Sequence, residues 1–395
     1  GVTTAVLGCC SMSTVYARAE DAADLFSRVE AVPRKHVIAA LEDFQDWTEP
    51  EGYVKRLDSL PLGPNVASFL GHSDLRTAVM GLGRATDTWS FPTRAELRRM
   101  AEMLDRALDA GMLGMSGMDA PIDKLDGDRY RSRALPSTYA WWHERWHLIN
   151  VLRKRGRILQ SAPNINNPLT AVMFFLASGD RLSPGRPVRT SLLVAADSKS
   201  APGAHRFLSR AAALGNRIFR SRVSFQHLPL PFTLYSDGID LPVFEEFGAG
   251  TAALHIRDQL ERNALMADTD YRRRFRREFA LKKHKPGLWH KDFREAVIVE
   301  CPDASLIGRN FADIAEERGV APLDAFLDVL VENGEKNVRW TTTVGNHRPA
   351  VLDEMAADPN FQLGFSDAGA HLRNMAFYNF PLRFLKRMRD AEEAG

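Results

Sequence analysis

Gly364-Phe365-Ser366-Asp367-Ala368-Gly369-Ala370-His371 is the stretch on which the reading of this chain turns. An apolar run ends in Ser366-Asp367, followed by small residues and then a histidine. The pattern predicts a short strand that delivers a carboxylate at a sharp turn. Small residues there let a substrate or a metal ion approach the backbone. A second stretch at the other end answers it. Gly1-Val2-Thr3-Thr4-Ala5-Val6-Leu7-Gly8-Cys9-Cys10-Ser11 also reads as a strand entering a small-residue turn, and it delivers the thiol of Cys10. Cys9 alternates to the opposite face.

Strand-like and helix-like segments alternate between these ends. Val66–Leu70 is a short apolar run before Gly71-His72-Ser73. Thr93 and Glu96 form a capping-box pair ahead of Leu97, Met100, Leu104 and Leu108 on one helical face. Met112–Ser116 then reads as a strand, 138–154 as a helix and Arg157–Ser161 as a strand. Val188–Val194 and Arg222–His227 are further strands, with a helix over 203–215 between them. Pro322 and Gly334 bracket another helix. Such alternation predicts a parallel sheet, and this many units favours an α/β (β/α)8 TIM barrel over a doubly wound sheet. No GxGxxG or Walker sequence follows a strand. Residues 257–295 break the rhythm with Arg272-Arg273-Arg274-Phe275-Arg276-Arg277 and read as a helical insertion or lid with a solvated basic face. The expected organisation is therefore barrel over 1–256, insertion over 257–295 and barrel again over 296–395. The chain opens inside a strand-like run and closes in the charged segment 390–395, so it is expected to be a middle piece of a longer polypeptide.

Composition excludes little but frames the rest. The 395 residues are 45% hydrophobic, ordinary for a globular chain. With 52 basic and 50 acidic residues the net charge is +2, which gives no argument for nucleic acid or an anionic membrane. No apolar stretch approaches the roughly 20 residues a membrane span needs, and no signal-peptide pattern opens the chain. Three cysteines make no disulfide framework, so a cytoplasmic setting is expected. A small-molecule substrate is the expected partner, and a homo-oligomer is left open.

Residues at the C-terminal ends of barrel strands carry chemistry. Asp367 fits that position as an acid/base or metal-binding carboxylate, the plain alternative being a helix N-cap. Cys10 is either a thiolate ligand suited to zinc or a small buried hydrophobe. His227, at a strand end, is either a zinc ligand or a hydrogen-bonded structural histidine. His72 follows a strand and Arg76 can meet a carboxylate bidentately. His143-Glu144-Arg145-Trp146-His147 is an HExxH pattern, the spacing of a zinc metalloprotease site. Its helix is rich in large apolar residues, and no third ligand is identifiable downstream.

Taken in order, the segments at 1–10, 65–76, 110–116, 307–325 and 366–371 resemble the D-aminoacylases (N-acyl-D-amino-acid deacylases) of the amidohydrolase superfamily. The likeness covers nearly the whole chain and is loosest through 120–300. It implies a metal-dependent TIM barrel that hydrolyses a linear, non-peptide amide. It implies Asp367 as the catalytic acid/base and Cys10 and His227 as ligands of zinc; His72, Arg76 and His371 are the expected substrate-binding residues, His72 being equally able to fix its loop. The chain also departs from the family. The first-strand His-x-His pair would lie before residue 1, the stretch Thr190–Val194 lacks the family's histidine, and the family's small β-sandwich is missing. Two alternatives stand beside this expectation: a non-catalytic barrel acting as a binding subunit, and an HExxH zinc metalloprotease.

Overall fold

The computed structural model describes residues 2–164, 167–283, 287–375 and 377–393. Part of the expected 257–295 insertion and the last two residues of the charged C-terminal segment lie outside the described residues. Among the described residues the strands are β1 (Thr4–Leu7), β2 (Asn65–Gly71), β3 (Gly114–Met118), β4 (Ile158–Ala162), β5 (Arg189–Ala195), β6 (Arg222–His227), β7 (Phe232–Asp237), β8 (Val297–Glu300), β9 (Arg339–Gly345) and β10 (Phe361–Leu363).

Seven of them form one parallel sheet in the order β1-β2-β3-β4-β5-β6-β10. The sheet curls. If flat, its two edge strands would lie roughly 29 Å apart at the usual strand spacing. Instead, His371 beyond β10 hydrogen-bonds Glu30 and Val29 beyond β1, at 2.6 and 2.7 Å. The Cys10 amide also donates 2.9 Å to Gln160 Oε1, reaching across to β4. This is a curled α/β sheet of the TIM-barrel kind. The eight-stranded ring expected from sequence is thus a seven-stranded sheet among the described residues, with β1 and β10 as edges. On β6, Val223 and Phe225 point outward into a core shared with helices Arg94–Asp109 and Trp142–Arg155. The alternate residue Gln226 faces the interior, where its Nε2 donates 2.9 Å to Ser191 Oγ.

Local signals are largely realised. The Thr93–Glu96 capping box forms at the head of helix Arg94–Asp109. That helix ends through Met112, whose amide returns to the Ala107 carbonyl at 3.1 Å, so β3 starts two residues later than the apolar run suggests. Pro136–Tyr139 makes a 3-10 turn, and the next helix begins only at Trp142. Helices Ala19–Phe26, Arg34–Phe44 and Pro50–Ser59, between β1 and β2, have no counterpart in the sequence reading.

Between β6 and β10 the chain leaves the barrel. β7, β9 and β8 pair antiparallel in a separate sheet. Of the described residues in 296–395, only β10 joins the parallel sheet. Helices Gln259–Ala267 and Thr269–Lys283 lie in this excursion, which has its own aromatic core around Phe244, Phe275, Trp289, Phe326 and Trp340. In its basic run, Arg272 and Arg276 pair with Asp328 and Asp324. Among the described residues no helix is long and apolar enough to cross a membrane.

Candidate functional site

Polar side chains gather where the parallel strands end, and two clusters there must be told apart. The first lies at the mouth between β1 and β10. Cys10, Ser11, Phe365, Asp367 and His371 all have positive φ, at 55°, 72°, 80°, 45° and 47°. Such backbone is costly for residues with a Cβ and concentrates at sites where geometry is held for a purpose. The Cys10 loop is pinned from below: the Ser11 amide donates 3.1 Å to Ser116 Oγ of β3. Gly71 allows this approach, because a Cβ there would meet the Ser11 carbonyl oxygen at 2.3 Å.

Asp367 and His371 join Cys10 at this mouth, with Glu30 and Asp123 beside them. The His371 amide donates 2.6 Å to Glu30 Oε2, and its Nδ1 donates 2.7 Å to the Val29 carbonyl, which fixes the ring. Burial raises the Asp367 carboxyl, with Glu30 adding to it and His371 opposing. Burial also lifts Asp123 to about 6 against the pull of His371. His371 goes the other way: burial lowers it, but Glu30, Asp367 and Asp123 together hold it above its ordinary value. The Cys10 thiol is pushed up by burial and by Cys9, Asp367, Asp123 and Glu30. Carboxyls and a thiol thus share the electrostatic field of one imidazole.

A cavity of about 400 Å³ adjoins it, sharing Asp123 as a wall. Arg28, Lys124, Arg131 and Arg373 line it as well. Burial and the neighbouring Arg131 lower Arg28 to about 10, and burial and Arg28 lower Lys124. Arg28 pairs with Glu245 and Arg373 with Asp237.

The second cluster is buried. His72 and Arg76, on the helix after β2, are 0% and 1% exposed. Both hold Glu144: His72 Nε2 lies 2.8 Å from Oε1, and Arg76 pairs with Oε2. Burial would raise the Glu144 carboxyl, yet His72 and Arg76 hold it down at about 2. The HExxH glutamate therefore points into the core, while His143 and His147 sit on the exposed face of the same helix.

His227 belongs to neither cluster. It continues the outward face of Val223 and Phe225, is fully buried, and lies 6.5 Å, ring to ring, from Phe361. Its Nδ1 is 3.3 Å from the Ala195 carbonyl. The structure thus brings Cys10, Asp367 and His371 together, places His72 and Arg76 on Glu144, and sets His227 between sheet and helices. Among the described residues no group of three or more His, Cys, Asp or Glu side chains is placed to hold a metal ion. The zinc set expected from Cys10 and His227 is not assembled there. Glu30, Asp123 and Gln160 were not singled out from sequence. Asp123 follows β3 by five residues, so a search of every post-strand loop would have reached it. Glu30 carries no such signal.

Comparison with known proteins places this geometry. No protein-family model matches the sequence. The chain is 67% identical over 395 residues to uncharacterized proteins of Mycobacterium tuberculosis (strain ATCC 25618 / H37Rv) and Mycobacterium bovis (strain ATCC BAA-935 / AF2122/97). The match takes in all of this chain and 65% of each relative, so the chain spans less than two thirds of their length. Among solved structures it is similar to the N-acyl-D-glutamate deacylase of Bordetella bronchiseptica, crystallised with zinc and a phosphonate inhibitor, with a TM-score of 0.51 and 17% identity. A D-aminoacylase structure gives a TM-score of 0.51 at 18% identity. Each likeness covers 92% of this chain and 59% of the other. The fold is similar to that of these deacylase structures.

Proposed function

We propose that the whole protein to which this chain corresponds hydrolyses a linear, non-peptide amide, an N-acyl-D-amino acid, to a carboxylate and a D-amino acid. The observation that carries this reading is the docking of the loop after β10, which bears Asp367, on the segment after β1, which bears Cys10, through the hydrogen bonds of His371 to Glu30 and Val29. Strand C-terminal ends are where barrel enzymes do chemistry, and the fold likeness supports the reaction class. Asp367 takes a proton from the attacking water as its oxygen bonds to the amide carbon. It then returns that proton to the leaving nitrogen as the C–N bond breaks. A raised carboxyl suits the second step, and His371, held on Val29 and Glu30, keeps positive charge beside the carboxylate in the first. Lys124 lines the adjoining cavity, which a substrate carboxylate can enter, whereas Arg28 is committed to Glu245 and Arg76 to Glu144. The reading calls for a divalent metal, zinc by the thiol donor Cys10. The described residues supply no complete set for it, and no step is assigned to it.

The test is a screen of N-acyl-D-amino acids with the full-length protein and its Asp367→Asn variant. Turnover should fall about 10²–10⁴-fold in the variant with the melting temperature held. Metal content is measured alongside, with Cys10→Ala. Full-length protein that binds no metal and turns over no N-acyl amino acid is instead a binding barrel, the reading that the incomplete ligand set favours.

A further inference from the structure

Charge is unevenly spread over this chain. Residues 181–222 hold nine Lys and Arg and a single acidic residue, Asp197, while the net charge of the whole is only +2. The segment comprises β5, β6 and helix Ala204–Phe219 between them, so its charges fall on one sector of the barrel. Arg189 and Arg222 open β5 and β6 and are register partners in the parallel ladder. Like charges so placed repel. Arg217 and Arg220 stand at the end of the helix that leads into β6. All four are exposed, and none has an ion-pair partner among the described residues. The helix dipole accounts for cations at Arg217 and Arg220. It does not account for Arg189 and Arg222 side by side.

The same helix is apolar on two faces. One is buried through His205, Ala212 and Gly215. On the other, Leu214 and Ile218 are 58% and 42% exposed, one turn apart. The loop before β5 packs against the helix end, since a Cβ on Gly179 would meet the Phe219 carbonyl oxygen at 2.0 Å. Leu182, three residues on, is 62% exposed. Apolar side chains in water are thus interleaved with unpaired guanidinium groups.

We propose that this sector docks on an anionic lipid bilayer surface. Charge complementarity identifies the partner. Phosphate head groups answer the four arginines, while Leu182, Leu214 and Ile218 enter the boundary of the acyl chains. A nucleic acid would meet the arginines but leave the apolar residues in water. The patch lies at the N-terminal ends of β5 and β6, and Cys10 and Asp367 follow the C-terminal ends of β1 and β10. Docking therefore leaves the candidate site facing away from the membrane, and it holds whether or not that site hydrolyses amides.

The experiment sediments the full-length protein with vesicles of phosphatidylcholine alone and of phosphatidylcholine mixed equally with phosphatidylglycerol, at low and at physiological salt. Each arginine near an anionic surface contributes on the order of a fivefold gain in partitioning. The protein should favour the anionic vesicles at least tenfold, less so as salt rises. Arg217→Glu with Arg222→Glu should abolish the preference, and Leu214→Ser should weaken binding about threefold. If the double variant melts early, Arg217→Gln with Arg222→Gln replaces it and should lower the preference about 25-fold, a preference unchanged in it counting as one that survives. Equal partitioning to both vesicles, or a preference that survives the arginine variants, overturns the proposal. So does tight, arginine-dependent binding to a DNA duplex without binding to the anionic vesicles.

Discussion

The Glu144 network and the Asp367 cluster each set a histidine against carboxylates, and the fold treats them in opposite ways. Around Glu144 every charge has its counterpart within the core: His72 on one carboxylate oxygen, Arg76 on the other, and both side chains sealed from water. Around Asp367 carboxyls outnumber cations, the backbone is strained at Cys10, Ser11, Asp367 and His371, and a cavity opens alongside. A sealed buried pair rigidifies the scaffold, and His72 Nδ1, without a hydrogen-bond partner among the described residues, is itself shut off from water. An under-compensated cluster at strand ends stores the electrostatic asymmetry that chemistry or a bound cation would relieve. Residue type alone does not separate the two regions. Burial and pairing do.

That contrast can be broken by mutation. The largest stability loss is expected for Glu144→Ala, which leaves the Arg76 charge buried and unpaired. A cost of about 3–5 kcal/mol is predicted, read from chemical denaturation. A loss below about 1 kcal/mol would mean that water reaches Arg76 and that the network is not a sealed scaffold. The same pair sets an acid limb. The folded Glu144 carboxyl sits at about 2 against 4.5 for the free group, so its contribution is complete above pH 4.5 and fades as pH falls towards 2. Wild-type stability should drop by a few kcal/mol over that window, and Glu144→Gln should flatten the drop.

Gly71→Ala sharpens the comparison, because Gly71 joins the two regions. Its new Cβ would press on the Ser11 carbonyl and shift the Cys10 loop. A stability cost of about 1–3 kcal/mol is expected, together with reduced turnover. Unchanged turnover would show that the Cys10 loop need not be held. The smallest effect is expected for Thr93→Ala, whose hydrogen bonds run to Glu96 and not to either cluster. Losing its cap on helix Arg94–Asp109 should cost about 1 kcal/mol with no change in rate.

The sequence makes the strand-and-helix rhythm of the barrel readable because its signals are local. Thr93 and Glu96 cap a helix, and the apolar alternation of Arg222–His227 marks a strand. The antiparallel sheet of β7, β8 and β9 is not readable in this way. Thr233 and Thr343 meet across β7 and β9 only through pairing 110 residues apart. The site divides along the same line. Asp367 and Cys10 are visible because strand ends with small neighbours announce themselves. Glu30 and Asp123 are not, because only the folded chain brings them to His371. His227 shows the limit of the strand-end rule: one position along β6 decides whether a side chain faces the barrel mouth or the helices. Net charge is likewise a sum over the chain, and a total of +2 is compatible with a basic segment at 181–222.

The most direct test sets Asp367→Asn against Glu144→Gln in the full-length protein, each assayed for N-acyl-D-amino acid hydrolysis and for melting temperature. Asp367→Asn should abolish turnover and melt like wild type, while Glu144→Gln should melt lower and keep its rate in the folded fraction. If instead Glu144→Gln abolishes turnover at an unchanged melting temperature while Asp367→Asn works normally, the site has been placed at the wrong cluster.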